Sequence, residues 1–292
     1  MQTRLTLGMA VLSAALGSWV AAPAVASTLV QDSFASKALG RDIKMDVYLP
    51  DGYDQAADKL PVVYMLHGAD ADETAWVLKG GIQVTADNLI VRHEMRPAVI
   101  VMPTLGPASW YADANADKAE TAFVQDLLPY VEAHYKVRTD RAGRSIGGLS
   151  MGGYGALNLS LSHPELFCAA GVLSPAIYDP FPPATSASRK TPQFSKDGKF
   201  DEQAWTKSLY PARLDGYRAA KQIVPMWIES GDHDRFGIVL AAAKLYWNLH
   251  ATQPDDVEYR VVDGDHDWLV FRESAISALP YMSQKCEAAS AG

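Results

Sequence analysis

The chain of 292 residues predicts an α/β fold, with a mostly parallel central sheet, helices on both faces and an insertion that caps one edge. Three observations predict it. Short, wholly apolar runs at 61–66 and 98–102 read as strands buried on both faces. Between such runs lie stretches with apolar residues at helical spacing. The composition, 48% hydrophobic and 21% charged, is that of a globular protein with one sizeable core, without internal repeats or a linker between domains.

The first 26 residues stand apart from that fold. Arg4 gives a positive start, 5–20 is an apolar run, and Ala24-Val25-Ala26 has the small-residue pattern of a cleavage site. The expectation is a secretory leader cut after Ala26, leaving 27–292 as a periplasmic or secreted domain. No cysteine adjoins the site, so no lipid anchor is expected, and no later stretch is long and apolar enough to span a bilayer. The net charge of -8 offers no basic field for phosphates, which argues against nucleic acid as a partner. Oligomeric state is not legible.

The elements follow in order. Residues 43–49 alternate charged or polar with apolar side chains, a half-buried strand closed by the turn Pro50-Asp51-Gly52-Tyr53. The strand at 61–66 runs into His67-Gly68. A helix is expected at 82–93, a strand at 98–102, and a long amphipathic helix at 118–135, with Phe123, Leu127, Leu128, Val131 and Tyr135 on one face. Strands at 169–173, 223–229 and 257–262 and helices at 239–250 and 271–282 complete the alternation. Residues 174–220 break it, with Pro175, Pro180, Pro182, Pro183, Pro192 and Pro211 and room for two short helices. This segment leaves the carboxyl edge of a strand, where open α/β sheets bind ligands, and so reads as a cap; the other reading is a surface excursion. Cys168 precedes one strand and Cys286 follows the last expected helix. A disulfide between them is feasible in an oxidising compartment; the alternative is a buried thiol and a thiol in the tail.

Chemistry centres on Gly148-Leu149-Ser150-Met151-Gly152-Gly153-Tyr154-Gly155. It is Gly-x-Ser-x-Gly between an apolar strand at 144–149 and a helix running to His163-Pro164. A serine exposed on so sharp a turn needs neighbours without bulk. Gly143-Arg144-Ser145-Ile146-Gly147 matches the same pattern, but Ser145 precedes the strand rather than ending it. Ser150 is therefore the candidate nucleophile. A serine needs a base and a group that orients the base. Two loops after later strands offer them: Gly231-Asp232-His233-Asp234 and Gly264-Asp265-His266-Asp267-Trp268. Chain order favours His266 over His233 as base. Asp232 and Asp234 compete as the acid, with Glu229 third. His67 is expected to pack or to orient its loop, His163 to cap a helix, and His93, His134 and His250 to lie on the surface. Backbone N–H groups of Met151 and Ala69 are the expected oxyanion donors. Asp70, Asp72 and Glu73, or Asp263, Asp265 and Asp267 with His266, supply hard ligands without metal-site spacing, so neither metal nor cofactor is expected.

With these residues in view, the chain resembles the putative-esterase branch of the α/β-hydrolases, which includes S-formylglutathione hydrolases, feruloyl, acetylxylan and tributyrin esterases, and mycobacterial mycolyltransferases. The similarity runs from about residue 47 to about residue 279. Its markers are Tyr64-Met65-Leu66-His67-Gly68 with Trp76, Ser109-Trp110-Tyr111, the Ser150 turn, and the two loops just quoted. The resemblance implies an α/β-hydrolase fold and a serine esterase with Ser150, Asp234 and His266 as its triad. Trp110 and Tyr111 fall where the branch lines its substrate pocket. Residues 69–74 are unusually acidic for the branch and the cap is poorly matched, so the substrate is left open: a small-molecule or saccharide ester. An acyltransferase on the same triad, or a silent binding protein of the same fold, are the alternatives.

Overall fold

The computed structural model describes residues 27–291; the expected leader lies outside them. Among the described residues ten strands form: β1 (Thr28–Ser36), β2 (Arg41–Leu49), β3 (Val62–Leu66), β4 (Val99–Thr104), β5 (Arg144–Leu149), β6 (Ala169–Leu173), β7 (Ser195–Lys196), β8 (Lys199–Phe200), β9 (Met226–Gly231) and β10 (Val257–Val262). Eight of them make one sheet in the order β1-β2-β4-β3-β5-β6-β9-β10. From β4 to β10 every pairing is parallel, while β1–β2 and β2–β4 are antiparallel. The strands β3, β5 and β6 are buried along their whole length, which is why they carry continuous apolar or glycine-rich runs.

Helices α1 (Ala75–Leu78), α2 (Ile82–Val91), α3 (Ala119–Ala122), α4 (Leu128–His134), α5 (Met151–Ser162), α6 (Glu202–Ser208), α7 (Leu214–Ala220), α8 (Ile238–His250) and α9 (Trp268–Ala291) complete the chain. Two apolar clusters lie against the sheet. One gathers Phe123, Leu157 and Leu245, the other Ile82, Ala278 and Met282.

In its secondary structure the chain departs from the sequence expectations at several places. The edge strand β1 was not expected. The helix expected at 118–135 is α3 and α4 joined by a wide turn, Phe123–Leu127, in which the Leu128 N–H reaches back to Phe123 O. Pro129 has no N–H to give and its ring crowds the carbonyl four residues back, so the chain widens there. His93 lies past the end of α2, with a positive φ of 59°, rather than on a helix. The last helix runs on to Ala291, so Cys286 sits inside it and forms a disulfide with Cys168, Cα to Cα 5.0 Å. That bond ties α9 to the start of β6.

Residues 174–220 are a packed layer, built on Trp205. This side chain is fully buried, and its Nε1 donates to Tyr178 O and Pro180 O at 3.1 Å each. Trp110, Tyr154 and Phe194 surround its ring at 5.9, 5.6 and 5.0 Å. Arg213 ties the segment to α5 and α3, donating to Ser162 Oγ at 2.8 Å and to Glu120 Oε2 at 3.0 Å.

Candidate active site

Ser150 stands between β5 and α5 with φ 55° and ψ −115°, a conformation that costs a residue with a side chain and persists only where its surroundings enforce it. The enforcement is visible. Ser150 N donates to Leu173 O at 3.0 Å, and Ala176 N donates back to Ser150 O at 3.1 Å. The turn is also too tight for bulk: a Cβ on Gly152 would clash with Leu66 O, and one on Gly155 would lie 2.6 Å from the Tyr111 ring. Ser145, the other match, is buried at the opposite end of β5.

His266 and Asp234 meet this serine although they come from separate loops. His266 Nε2 is 2.9 Å from Ser150 Oγ, and His266 Nδ1 is 2.8 Å from Asp234 Oδ2. With Nδ1–H donating to the carboxylate, Nε2 carries the lone pair and accepts the serine O–H. The Asp234 side chain is fully buried, and its other oxygen accepts the Phe236 N–H at 2.9 Å. Phe236 and Phe271 close on the imidazole edge-on, each at 5.0 Å.

The rival acids go elsewhere. Asp232 is exposed, pairs with His233 at 2.6 Å and accepts the Gly264 N–H. Glu229 is buried, its Oε2 accepts Trp227 Nε1 at 2.9 Å, and burial raises its pKa. Asp232, His233 and Asp263 bring three ligand atoms within 4.8 Å of one another on the exposed rim. His67 is buried between Gly68 O and Thr104 Oγ1, and burial lowers its pKa, so it orders its loop as a neutral ring. The acidic loop at 69–74 also has a local explanation. Asp72 Oδ1 accepts both the N–H and the hydroxyl of Thr74, at 3.0 and 2.6 Å, closing the turn into α1.

A cavity of about 290 Å³ opens over Ser150. It is lined by Gly68, Ala69 and Leu149, by Ala176, Tyr178, Ser186 and Ala187 of the 174–220 segment, and by Lys79, Trp268 and Phe271. The N–H of Met151 heads α5, where a helix has no internal acceptor to offer. Ala69 N–H makes no backbone hydrogen bond among the described residues. Trp110 lines the cavity, its N–H resting on Met151 Sδ at 3.4 Å. Tyr111, expected beside it, is instead fully buried, packed under Gly155 with its hydroxyl donating to His67 O at 3.4 Å. Successive positive φ values of 53° and 49° at Trp110 and Tyr111 turn one ring toward the cavity and the other into the core. Tyr178, Ser186, Phe236 and Phe271 were not anticipated as lining residues. Only Phe236 and Phe271 had a signal, their closeness in sequence to Asp234 and His266.

The sheet order and the strand–serine–helix turn define an α/β-hydrolase. A family model described as Putative esterase matches residues 36–282, and the chain belongs to that family. A solved ferulic acid esterase superposes with a TM-score of 0.78 at 28% identity, covering 90% of this chain and 100% of that one. An S-formylglutathione hydrolase from Agrobacterium tumefaciens has the same fold, with a TM-score of 0.68 at 20% identity, covering 91% of this chain and 98% of that one. Among curated proteins, an endo-1,4-beta-xylanase/feruloyl esterase of Xylanibacter ruminicola is 30% identical over 159 residues, 51% of this chain and 22% of that protein. Esterase Rv1288 of Mycobacterium tuberculosis is 32% identical over 144 residues, 47% of this chain and 30% of that protein. The alignments thus span less than a third of the length of these curated relatives. Among the described residues no helix is long and apolar enough to cross a membrane.

Proposed function

We propose that the protein is an exported serine esterase that hydrolyses carboxylic esters through an acyl-enzyme on Ser150. The observation that carries this reading is the continuous hydrogen-bonded chain from Ser150 Oγ through His266 to Asp234 at the floor of an open cavity. Ser150 Oγ attacks the ester carbonyl carbon while its proton passes to His266 Nε2. Asp234 holds the Nδ1–H, keeping the tautomer and offsetting the imidazolium charge. The carbonyl oxygen, now negative, is met by the N–H groups of Met151 and Ala69. The alcohol leaves with the proton from His266, and a water then repeats the sequence on the acyl-enzyme. Trp110 forms part of the substrate wall and residues 174–220 act as its cap. The substrate class is a small-molecule or saccharide ester. The leader-like residues 1–26 and the Cys168–Cys286 bond favour an oxidising compartment outside the cytoplasm.

The test is hydrolysis of p-nitrophenyl esters of graded chain length by the wild type and by Ser150→Ala. A fall on the order of 10⁴-fold or more in the variant is expected. Equal rates in both proteins would move the nucleophile away from Ser150. N-terminal sequencing of the exported protein should begin at Ser27; a chain still beginning at Met1 in the cytoplasm would defeat the export reading.

A further inference from the structure

Strand β10 ends the sheet and has a neighbour, β9, on one side only. Its bonds to β9 fix which backbone groups are used. Met226 N–H donates to Asp256 O and Asp232 N–H to Val262 O, both at 2.9 Å. In a parallel ladder the residues that bond a given neighbour alternate along the strand. Glu258 and Arg260 therefore turn their N–H and C=O groups to β9, and Val257, Tyr259 and Val261 turn theirs outward. Among the described residues these outward groups have one partner, the Arg260 side chain, whose Nη1 donates to Tyr259 O at 3.3 Å.

Side chains alternate across the same strand. Tyr259 faces α8, stacked on Tyr246 at 6.0 Å with its hydroxyl donating to Val239 O at 2.8 Å. Val261, on the same face, is 49% exposed. Glu258 and Arg260 share the other face, joined at 2.8 Å, with the guanidinium 5.3 Å above the Trp227 ring. A strand edge left open pairs with other strands unless charge blunts it. Here the charges discourage most partners and fit one.

We infer that β10 is a self-complementary edge through which two copies of this chain pair antiparallel, about a two-fold axis at Tyr259. This register sets Tyr259 against the partner's Tyr259, and Val257 and Val261 against the partner's Val261 and Val257. Each of these is a hydrogen-bonded pair, so every outward N–H and C=O finds an acceptor or donor. The same register sets Glu258 opposite the partner's Arg260 and Arg260 opposite the partner's Glu258, a favourable cross-strand arrangement made twice by symmetry. An axis at Glu258 or Arg260 would set like charges against each other. An axis at Val257 or Val261 would leave half of the strand unpaired. Past Val261 the favoured register brings Asp263 toward the partner's Asp255, so the paired stretch ends at the strand ends. Antiparallel pairing also points the carboxyl edges of the two sheets in opposite directions. The two Ser150 cavities then open at opposite ends of the dimer, and neither copy covers the other's.

The experiment measures molar mass in solution by light scattering at about 100 μM, a concentration that populates a dimer of micromolar Kd. The wild type should have the mass of two chains. Glu258→Arg puts arginine against arginine across the axis, and Arg260→Glu puts glutamate against glutamate. Each variant alone should have the mass of one chain. Both positions are at least one-third exposed, and a thermal midpoint near that of the wild type checks that the variants fold. Mixed in equal amounts, the two variants are complementary, and the mass of two chains should return. A wild type with the mass of one chain overturns the inference. So do single variants that keep the double mass, which would place the contact elsewhere, and a mixture that stays monomeric, which would refute the register. None of these readings uses catalysis, so the failure of the esterase reading and the failure of this one are separate results.

Discussion

Arg235, on the loop that carries Asp234, is bound twice to Asp265, the neighbour of His266. Arg235 N–H donates to Asp265 Oδ1 at 2.8 Å, and its guanidinium lies 2.9 Å from Asp265 Oδ2. The same Oδ1 accepts the His266 N–H at 2.6 Å. One half-buried carboxylate thus holds the acid loop and the base loop in register. Asp265→Ala should lower kcat by roughly 10- to 100-fold with little change in KM, since it loosens the approach of His266 to Ser150 without touching the cavity wall. Steady-state kinetics on a p-nitrophenyl ester checks this; an unchanged kcat refutes it.

The same carboxylate has a pH signature. The His266 N–H first, then the N–H and guanidinium of Arg235, hold its pKa down to about 2. A depressed carboxyl contributes stability above its unfolded value of about 3.9, and that contribution is lost as the pH falls toward 2. Unfolding midpoints of the wild type should therefore fall more steeply below pH 4 than those of Asp265→Ala. Parallel slopes would count against the contribution.

His163 carries the opposite sign. Its hydrogen bond to Glu120, 3.2 Å away, raises its pKa above the usual imidazole value, with burial opposing. Stability from this pair is fully present below about pH 6.5 and is lost as the pH rises through the folded value. Thermal midpoints should decline across that window in the wild type and less so in His163→Gln.

The strain at Ser150 predicts a trade of function for stability. Ser150→Gly and Ser150→Ala both remove the hydroxyl, but only glycine relaxes a φ of 55°. Ser150→Gly should be more stable than Ser150→Ala by roughly 1 kcal/mol, measured by denaturant unfolding. Equal stability would mean that the turn is not strained.

The disulfide closes a long stretch of chain, since Cys168 and Cys286 are 118 residues apart. Reduction, or Cys168→Ala with Cys286→Ala, should cost roughly 2–5 kcal/mol and lower the thermal midpoint by roughly 5–15 °C. A reductant titration followed by thermal unfolding tests it.

The Ser150 turn was legible because close packing leaves its demand for glycine in the letters themselves, and β5 before it is buried throughout. The loops of Asp234 and His266 were legible because each follows a strand whose end the apolar run marks. What escaped has physical reasons too. The edge strand β1 has only its last residue buried, and its half-buried face mixes Asp32 and Ser36 with Val30 and Phe34, so apolar letters do not mark it. Tyr178 and Ser186 lie in a proline-broken stretch whose contacts are set by distant residues such as Trp205. Tyr111 was misassigned because adjacency to Trp110 says nothing of the paired left-handed turn that sends the two rings apart.

Trp110 lines the cavity and also packs at 5.4–5.9 Å against Tyr154, Phe194 and Trp205, the rings around which residues 174–220 pack. Its substitution cannot be neutral for folding, so selection for a new substrate through this position is taxed by lost cohesion. Tyr178 is different in kind, because a single hydroxyl can be removed while the ring keeps its stacking on Trp205. Diversification among relatives built this way should therefore run through lining groups such as the Tyr178 hydroxyl, with Trp110 held constant as a keel.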